Sequence, residues 1–252
     1  MLAVWAPLFW ATLFLIAIWW LSRRQAFYFL SALYHLTRSQ QAAVAAYAIF
    51  FLPGTLVHEF SHWFMAQLLG VKTTGFRVFP KLDRKGTIQL GAVDVRGGNV
   101  VEHTLIGMAP MLLGGILTLF LSYLLVDAGS LGAVMQAEQF GAIWQTASGM
   151  FTHSDALILF YLLFTISGSM FLSASDRAPM KQMALYLAVV LLPIFIFGKM
   201  PALPESWARF MAEMFTVFAS GLAVALLVHG MITAILAALY FLARALFPAR
   251  TN

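Results

Sequence analysis

Cysteine is absent from the 252 residues, so the chain has no disulfide framework and no thiolate metal site, and any metal must be held by His, Asp or Glu. Charge is nearly as scarce. Asp, Glu, Lys and Arg make up 10% of the chain against 62% hydrophobic residues, and the mean hydropathy is +0.86. That composition leaves too little polar surface to cover a soluble globule and makes lipid the expected solvent. The net charge of +5 is scattered around the ends of apolar stretches and never gathers into a basic patch. With no DNA- or RNA-binding motif beside it, this charge suits anionic lipid headgroups and excludes nucleic acid as the expected partner.

A hydrocarbon core of about 30 Å needs roughly 20 apolar residues per helix. Residues 3–21 form the first such stretch. They lack a basic leading region, and no small-residue cleavage site precedes Arg23-Arg24, so they read as a retained anchor helix followed by a short basic link. Residues 42–69 form the second, apolar except for one group of His, Glu, Ser and His, with Gly70 as its C-cap. The text then changes between residues 71 and 100. Alternation in Phe76-Arg77-Val78-Phe79, a turn at Asp83-Arg84-Lys85-Gly86 and the runs 87–90 and 92–95 predict two or three short strands. Apolar helices resume at 104–126, 156–173, 183–197 and 214–242, the last open to a break at Gly230. Residues 129–153 carry no Lys or Arg and are expected along the membrane interface.

The expectation is an all-α polytopic membrane protein of about six transmembrane helices, with a small β-strand insertion after the second. It is read as one membrane domain over residues 1–252: the anchor 3–21, a core 42–182 containing the insertion 71–100, and C-terminal helices 183–252. If the β segment, the Asp176 loop and the C-terminus share one side, that side holds ten of the fifteen Lys and Arg residues. The positive-inside rule then makes it cytoplasmic, the dissenting element being Arg23, Arg24 and Arg38.

The chemistry sits in His58-Glu59-Phe60-Ser61-His62. Four residues apart on a helix, His58 and His62 stand one turn apart on one face and can chelate one ion. Glu59 beside the first ligand can reach a metal-bound water without being a ligand, the general-base placement of the H-E-x-x-H metallopeptidases. A chain with this content of His and Glu would produce the pattern by chance about 0.003 times. Ionisable groups in a membrane helix are costly and persist where they face a polar cavity or bind something. Eight residues separate His62 from Gly70, which at 1.5 Å per residue puts the pair about 12 Å from that helix end, inside the bilayer. Pro53, about one turn before the motif, cannot donate to the carbonyl of Ile49, so a kink is expected there.

These residues resemble the site-2 protease family of intramembrane zinc metalloproteases. The likeness covers roughly residues 42–182: the His58–His62 motif in a membrane helix, the β segment after it, the run Gly107-Met108-Ala109-Pro110 with Gly114-Gly115 in the next helix, and a distal acid after another helix. It implies that Asp176, in Ser173-Ala174-Ser175-Asp176, is the third zinc ligand beside His58 and His62, with Glu59 the catalytic base. It also implies that an edge within residues 76–95 holds an extended substrate drawn from a membrane protein. The chain differs from the usual pattern in carrying Arg177 after the acid, Gly168 and Phe171 where an Asn and prolines are common upstream of it, and Ala109 before Pro110. With that Asn missing, Ser167, Ser169 and Ser173 are the candidates left for an oxyanion stabiliser.

The implied activity is zinc-dependent hydrolysis of peptide bonds within or near transmembrane segments, in a multi-pass protein of a prokaryotic cytoplasmic membrane, with the site nearer the cytoplasmic side. The alternatives are a surface-cutting peptidase with a distal Glu (Glu102, Glu138, Glu205 or Glu213) and a non-catalytic homologue or metal-binding membrane protein. His229 is read as a packing residue, His103 as interfacial, and Asp155 and His153 as too far along their helix to join the site. The Gly107–Gly115 run is read as allowing close helix approach.

Overall fold

The computed structural model describes residues 2–78, 81–82, 88–89, 91–126, 149, 155–171, 173–197 and 204–247. Its first element corrects the expected anchor and link. Helix α1 runs unbroken over Leu2–Thr37, because nothing between Ser22 and Thr37 is Gly or Pro. Arg23 and Arg24 lie within it, their guanidinium groups 4.3 and 5.2 Å from the ring centres of Trp19 and Trp20 one turn earlier. Those aromatic faces and the apolar Arg stems let the pair sit on a helix wall.

The expected single helix over 42–69 is two. Helix α2 (Gln40–Phe50) meets α3 (Leu52–Leu68) at Phe51 with a bend of 67°. Pro53 falls in the first turn of α3, where its missing N–H costs nothing and its fixed φ starts a new helix. At the other end, Gly70 takes φ 70°. Its N–H donates to the Gln67 carbonyl at 3.1 Å while Val71 N–H reaches Ala66 at 2.9 Å. Val71 then packs with Ala66 and Ile106, which is the hydrophobic contact of a Schellman cap.

Among its described residues the β segment holds four strands, one more than the upper expectation: β1 (Lys72–Arg77), β2 (Lys81–Leu82), β3 (Ile88–Gln89) and β4 (Ala92–Arg96). They form two antiparallel pairs, β1 with β4 and β2 with β3. The turn at 83–86 lies outside the described residues, as does the expected interfacial segment 129–153 apart from residue 149. Helix α4 (Val100–Leu125) opens with a capping box in which Asn99 and Glu102 bond each other's backbone N–H. Helices α5 (Ala156–Ser169), α6 (Ala174–Phe197) and α7 (Glu205–Leu246) follow. Helix α7 passes Gly230 without a break.

Three described helices, α1, α4 and α7, are long and apolar enough to cross a membrane, and the bent pair α2–α3 would be a fourth. Helix α5 is apolar but only 14 residues long. Large apolar side chains face outward along the long helices, with Phe9, Ile116 and Ile235 each around 60% exposed, a surface that only lipid or another apolar partner would cover. Inside, Ile18, Leu125, Leu163, Phe164, Leu222 and Val228 form the core where α1, α4, α5 and α7 meet. Close approach is bought with small residues: Ser122 donates to the Gly221 carbonyl at 3.0 Å, and a Cβ at Gly114 would fall 2.6 Å from that of Met170.

Candidate metal centre

Helix α3 carries His58 and His62 on one face, and the start of α6 carries Asp176 against them. The two Nε2 atoms are 3.2 Å apart. Asp176 Oδ2 lies 3.7 Å from Nε2 of His58, and Oδ1 lies 3.4 Å from Nε2 of His62. Ligand atoms on a tetrahedron about 2.0–2.1 Å from a central ion stand about 3.3–3.4 Å from one another. The spacing therefore fits a single small cation. Among the described residues this is the one group of His, Asp and Glu close enough to hold a metal ion.

Each histidine is held by the nitrogen that does not face the carboxylate. His58 Nδ1 donates to the Ser169 carbonyl at 2.7 Å, and His62 Nδ1 donates to the Ile106 carbonyl at 2.8 Å. A donating Nδ1–H leaves the Nε2 lone pair free for a metal. Both carbonyls are available for a local reason. Ser169 ends α5, where carbonyls lack a partner within the helix. Ile106 lies inside α4, but the residue four further on is Pro110, which has no N–H to give it. The proline that weakens α4 thus frees the acceptor that orients His62.

Asp176 is fixed by the turn it begins. Its carboxylate accepts the Ser173 N–H at 2.7 Å, and its own N–H donates to Ser173 Oγ at 3.3 Å. This reciprocal pair at the start of α6 sets a carboxylate at the positive end of a helix. Arg177, which the resemblance leaves unexplained, turns back to the Ser173 carbonyl at 3.2 Å and closes the same turn. Two glycines let the elements converge. A Cβ at Gly107 would fall 2.7 Å from the Asp176 carbonyl oxygen, and one at Gly54 would overlap the Thr165 carbonyl. The expected packing role of the small-residue run therefore acts directly on the site.

Glu59 is buried, 8% exposed, on the helix that carries both histidines. A Cβ at Gly91 would fall 2.6 Å from its carboxylate, so the residue before β4 must be small for the acid to fit. Glu59, His58, His62 and Asp176 all line one cavity of about 900 Å³, and β4 residues Ala92 to Val95 form part of its wall. An ion held by these three residues would keep one tetrahedral position for a fourth group.

The competing residues are elsewhere. Glu102 is engaged in the α4 capping box, Glu205 pairs with Arg209 at 2.5 Å on an exposed turn, and Glu213 is exposed in mid-helix. Glu138 and His153 lie outside the described residues. Asp155 caps the far end of α5, a helix about 21 Å long by its rise. His229 is fully buried on α7, bonded to Gln25 and Ser167. His103 does line the cavity, as do Ser22 and Gln25 from α1. Nothing in the local sequence of α1 marks them, because a long-range helix packing brings them there. Of the three serines considered for an oxyanion, Ser167 is engaged with His229 and the Leu163 carbonyl. Ser169 and Ser173 line the cavity.

No protein-family model, curated protein or solved structure matches this chain.

Proposed function

We propose that this protein is a zinc-dependent endopeptidase of the site-2 protease type, hydrolysing peptide bonds within or near the transmembrane segments of membrane-protein substrates. The observation that carries the reading is the pairing of two Nε2 atoms and one carboxylate at 3.2 to 3.7 Å with a buried Glu next to the first ligand, which metal storage alone would not need. Two neutral imidazoles and a carboxylate with no thiolate suit zinc, and His58, His62 and Asp176 would hold it. When bound, zinc would polarise the scissile carbonyl and acidify water.

Glu59 takes one proton from the attacking water as its oxygen bonds to the scissile carbon. It returns that proton to the nitrogen when the C–N bond breaks, releasing a carboxylic acid and an amine, and the acid's proton then passes to the amine to give carboxylate and ammonium. A helical substrate hides its carbonyls and must be unwound first. Strand β4 pairs with β1 on one side and borders the cavity, so its other edge can hold the extended peptide by strand addition. The membrane is crossed about six times, the count being completed by the bent pair α2–α3 and by α5 and α6. Location in a prokaryotic cytoplasmic membrane, with the site toward the cytoplasm, is supported by the excess of Lys and Arg on the β-segment side.

Glu59→Gln tests the assignment. Cleavage of a membrane-protein substrate is expected to fall at least about 1,000-fold while zinc affinity stays within about 3-fold, as removal of a general base alone requires. Turnover that survives the substitution removes Glu59 from catalysis and favours the non-catalytic, partner-binding alternative.

A further inference from the structure

The His229 imidazole is completely buried and hydrogen-bonds to none of the three candidate metal ligands, yet it packs against the peptide that orients one of them. The Gln25 amide nitrogen donates to the His229 carbonyl at 2.9 Å and to Thr233 Oγ1 at 2.7 Å. Those two acceptors turn its oxygen toward His229 Nδ1, 3.0 Å away, so Nδ1 is the donor. Ser167 Oγ lies 3.0 Å from Nε2 and also contacts the Leu163 carbonyl, so its single hydroxyl proton is shared between these two acceptors. Two residues further on, the Ser169 carbonyl receives His58 Nδ1–H and the Ser169 hydroxyl donates to the Gly54 carbonyl at 2.9 Å. Between them, a Cβ at Gly168 would fall 3.3 Å from His229 Cε1. The ring thus lies against the backbone that joins Ser167 to Ser169. Three helices, α1, α7 and α5, meet at this one imidazole.

We propose that His229 is a positioning residue for the metal centre: the chain Gln25–His229–Ser167 fixes the last turn of α5 and, through the Ser169 carbonyl, the orientation of the His58 imidazole. A helix end is where carbonyls are least constrained, since the last turn lacks partners within the helix. Tying Ser167 to the midpoint of α7 removes that freedom beside the ligand. The group bonded directly to His58 is the Ser169 carbonyl; loss of such a partner commonly changes metal affinity by about 10–100-fold, and His229 acts on it through Ser167. The proposal rests on the metal-site reading above and goes beyond it in assigning a role to residues on α1 and α7.

The test uses the full-length protein in detergent, with cobalt(II) as the probe ion. Its visible absorption reports ligand geometry, and its affinity is read by chelator competition. His229→Leu removes both ring bonds and is expected to weaken cobalt at least about 10-fold and to shift the spectrum. His229→Gln places an amide near the Nε2 position and is expected to restore the wild-type spectrum and an affinity within about 3-fold of wild type. Thr118→Val alters a buried hydroxyl on α4 away from this chain and is expected to change neither. If His229→Leu fails to fold, Ser167→Ala decides, with at least about a 3-fold loss of affinity and a spectral shift expected for one missing hydrogen bond. Wild-type affinity and spectrum in a folded His229→Leu or Ser167→Ala protein would overturn the proposal, as would an equal loss in Thr118→Val. Wild-type protein that binds no cobalt would overturn the metal-site reading itself, a result separate from any difference among the variants.

Discussion

Replacing Pro110 by Ala should move stability and metal affinity in opposite directions. In the middle of a helix, proline costs up to about 3 kcal/mol relative to alanine. In α4 part of that cost is recovered because the Ile106 carbonyl, deprived of its helix donor, accepts His62 Nδ1–H at 2.8 Å. Alanine would return an N–H at position 110 and pull that carbonyl back toward the helix axis. The helix gains a bond, and His62 must share its acceptor or lose it. A typical hydrogen bond contributes about 1 kcal/mol net, which corresponds to about a 5-fold loss of zinc affinity. Chelator competition on the purified protein gives the affinity, and thermal unfolding of the metal-free form gives the stability. The Pro110→Ala protein is expected to unfold at higher temperature when metal-free and to bind zinc about 5-fold more weakly. Affinity that is unchanged or improved would show that the carbonyl freed by Pro110 does not orient His62.

Gly107→Ala adds a Cβ 2.7 Å from the Asp176 carbonyl oxygen; overpacking against backbone costs about 1–3 kcal/mol, so zinc affinity should fall at least about 5-fold by chelator competition, whereas Gly230→Ala, with open space around it, should leave affinity unchanged. Both imidazoles must be neutral and Asp176 ionised to bind metal, so zinc affinity should fall as the pH is lowered, read by the same competition across pH. Prolines placed in turn at Ala92 to Val95 should include at least one position that lowers peptide cleavage about 10-fold with zinc affinity unchanged, because alternate N–H groups of β4 point away from β1; cleavage indifferent to all of them would remove the strand-addition step.

Two candidate ligands were legible in the sequence because helix periodicity alone puts His58 and His62 on one face, and Glu59 follows from the same five residues. Asp176 was reached only through a family resemblance, since more than a hundred residues separate it from His62 and no local pattern joins them. The structure adds what makes the site rigid: two backbone carbonyls, which carry no residue signature, and the Ser173–Asp176 turn. Pro110 was visible but read only as part of a packing run, although a proline four residues after an unpaired carbonyl is a signal that sequence can give. The helix boundaries were less legible. Arg23-Arg24 suggested an end to α1, yet charge does not stop a helix whose residues 22–37 include no Gly or Pro and whose arginines rest on Trp19 and Trp20. Pro53, by contrast, marked a real discontinuity, sharper than a kink, because a proline in the first turn begins a helix more easily than it interrupts one.

The most direct test of the central claim is the zinc content of the purified full-length protein by elemental analysis, compared with His62→Ala and Asp176→Ala. The account predicts close to one zinc per chain in the wild type and a clear loss in both variants, since each removes one of three ligands. A folded wild-type protein that stays metal-free after incubation with zinc, or an Asp176→Ala variant that retains it fully, would contradict the three-ligand centre on which the proposed chemistry depends.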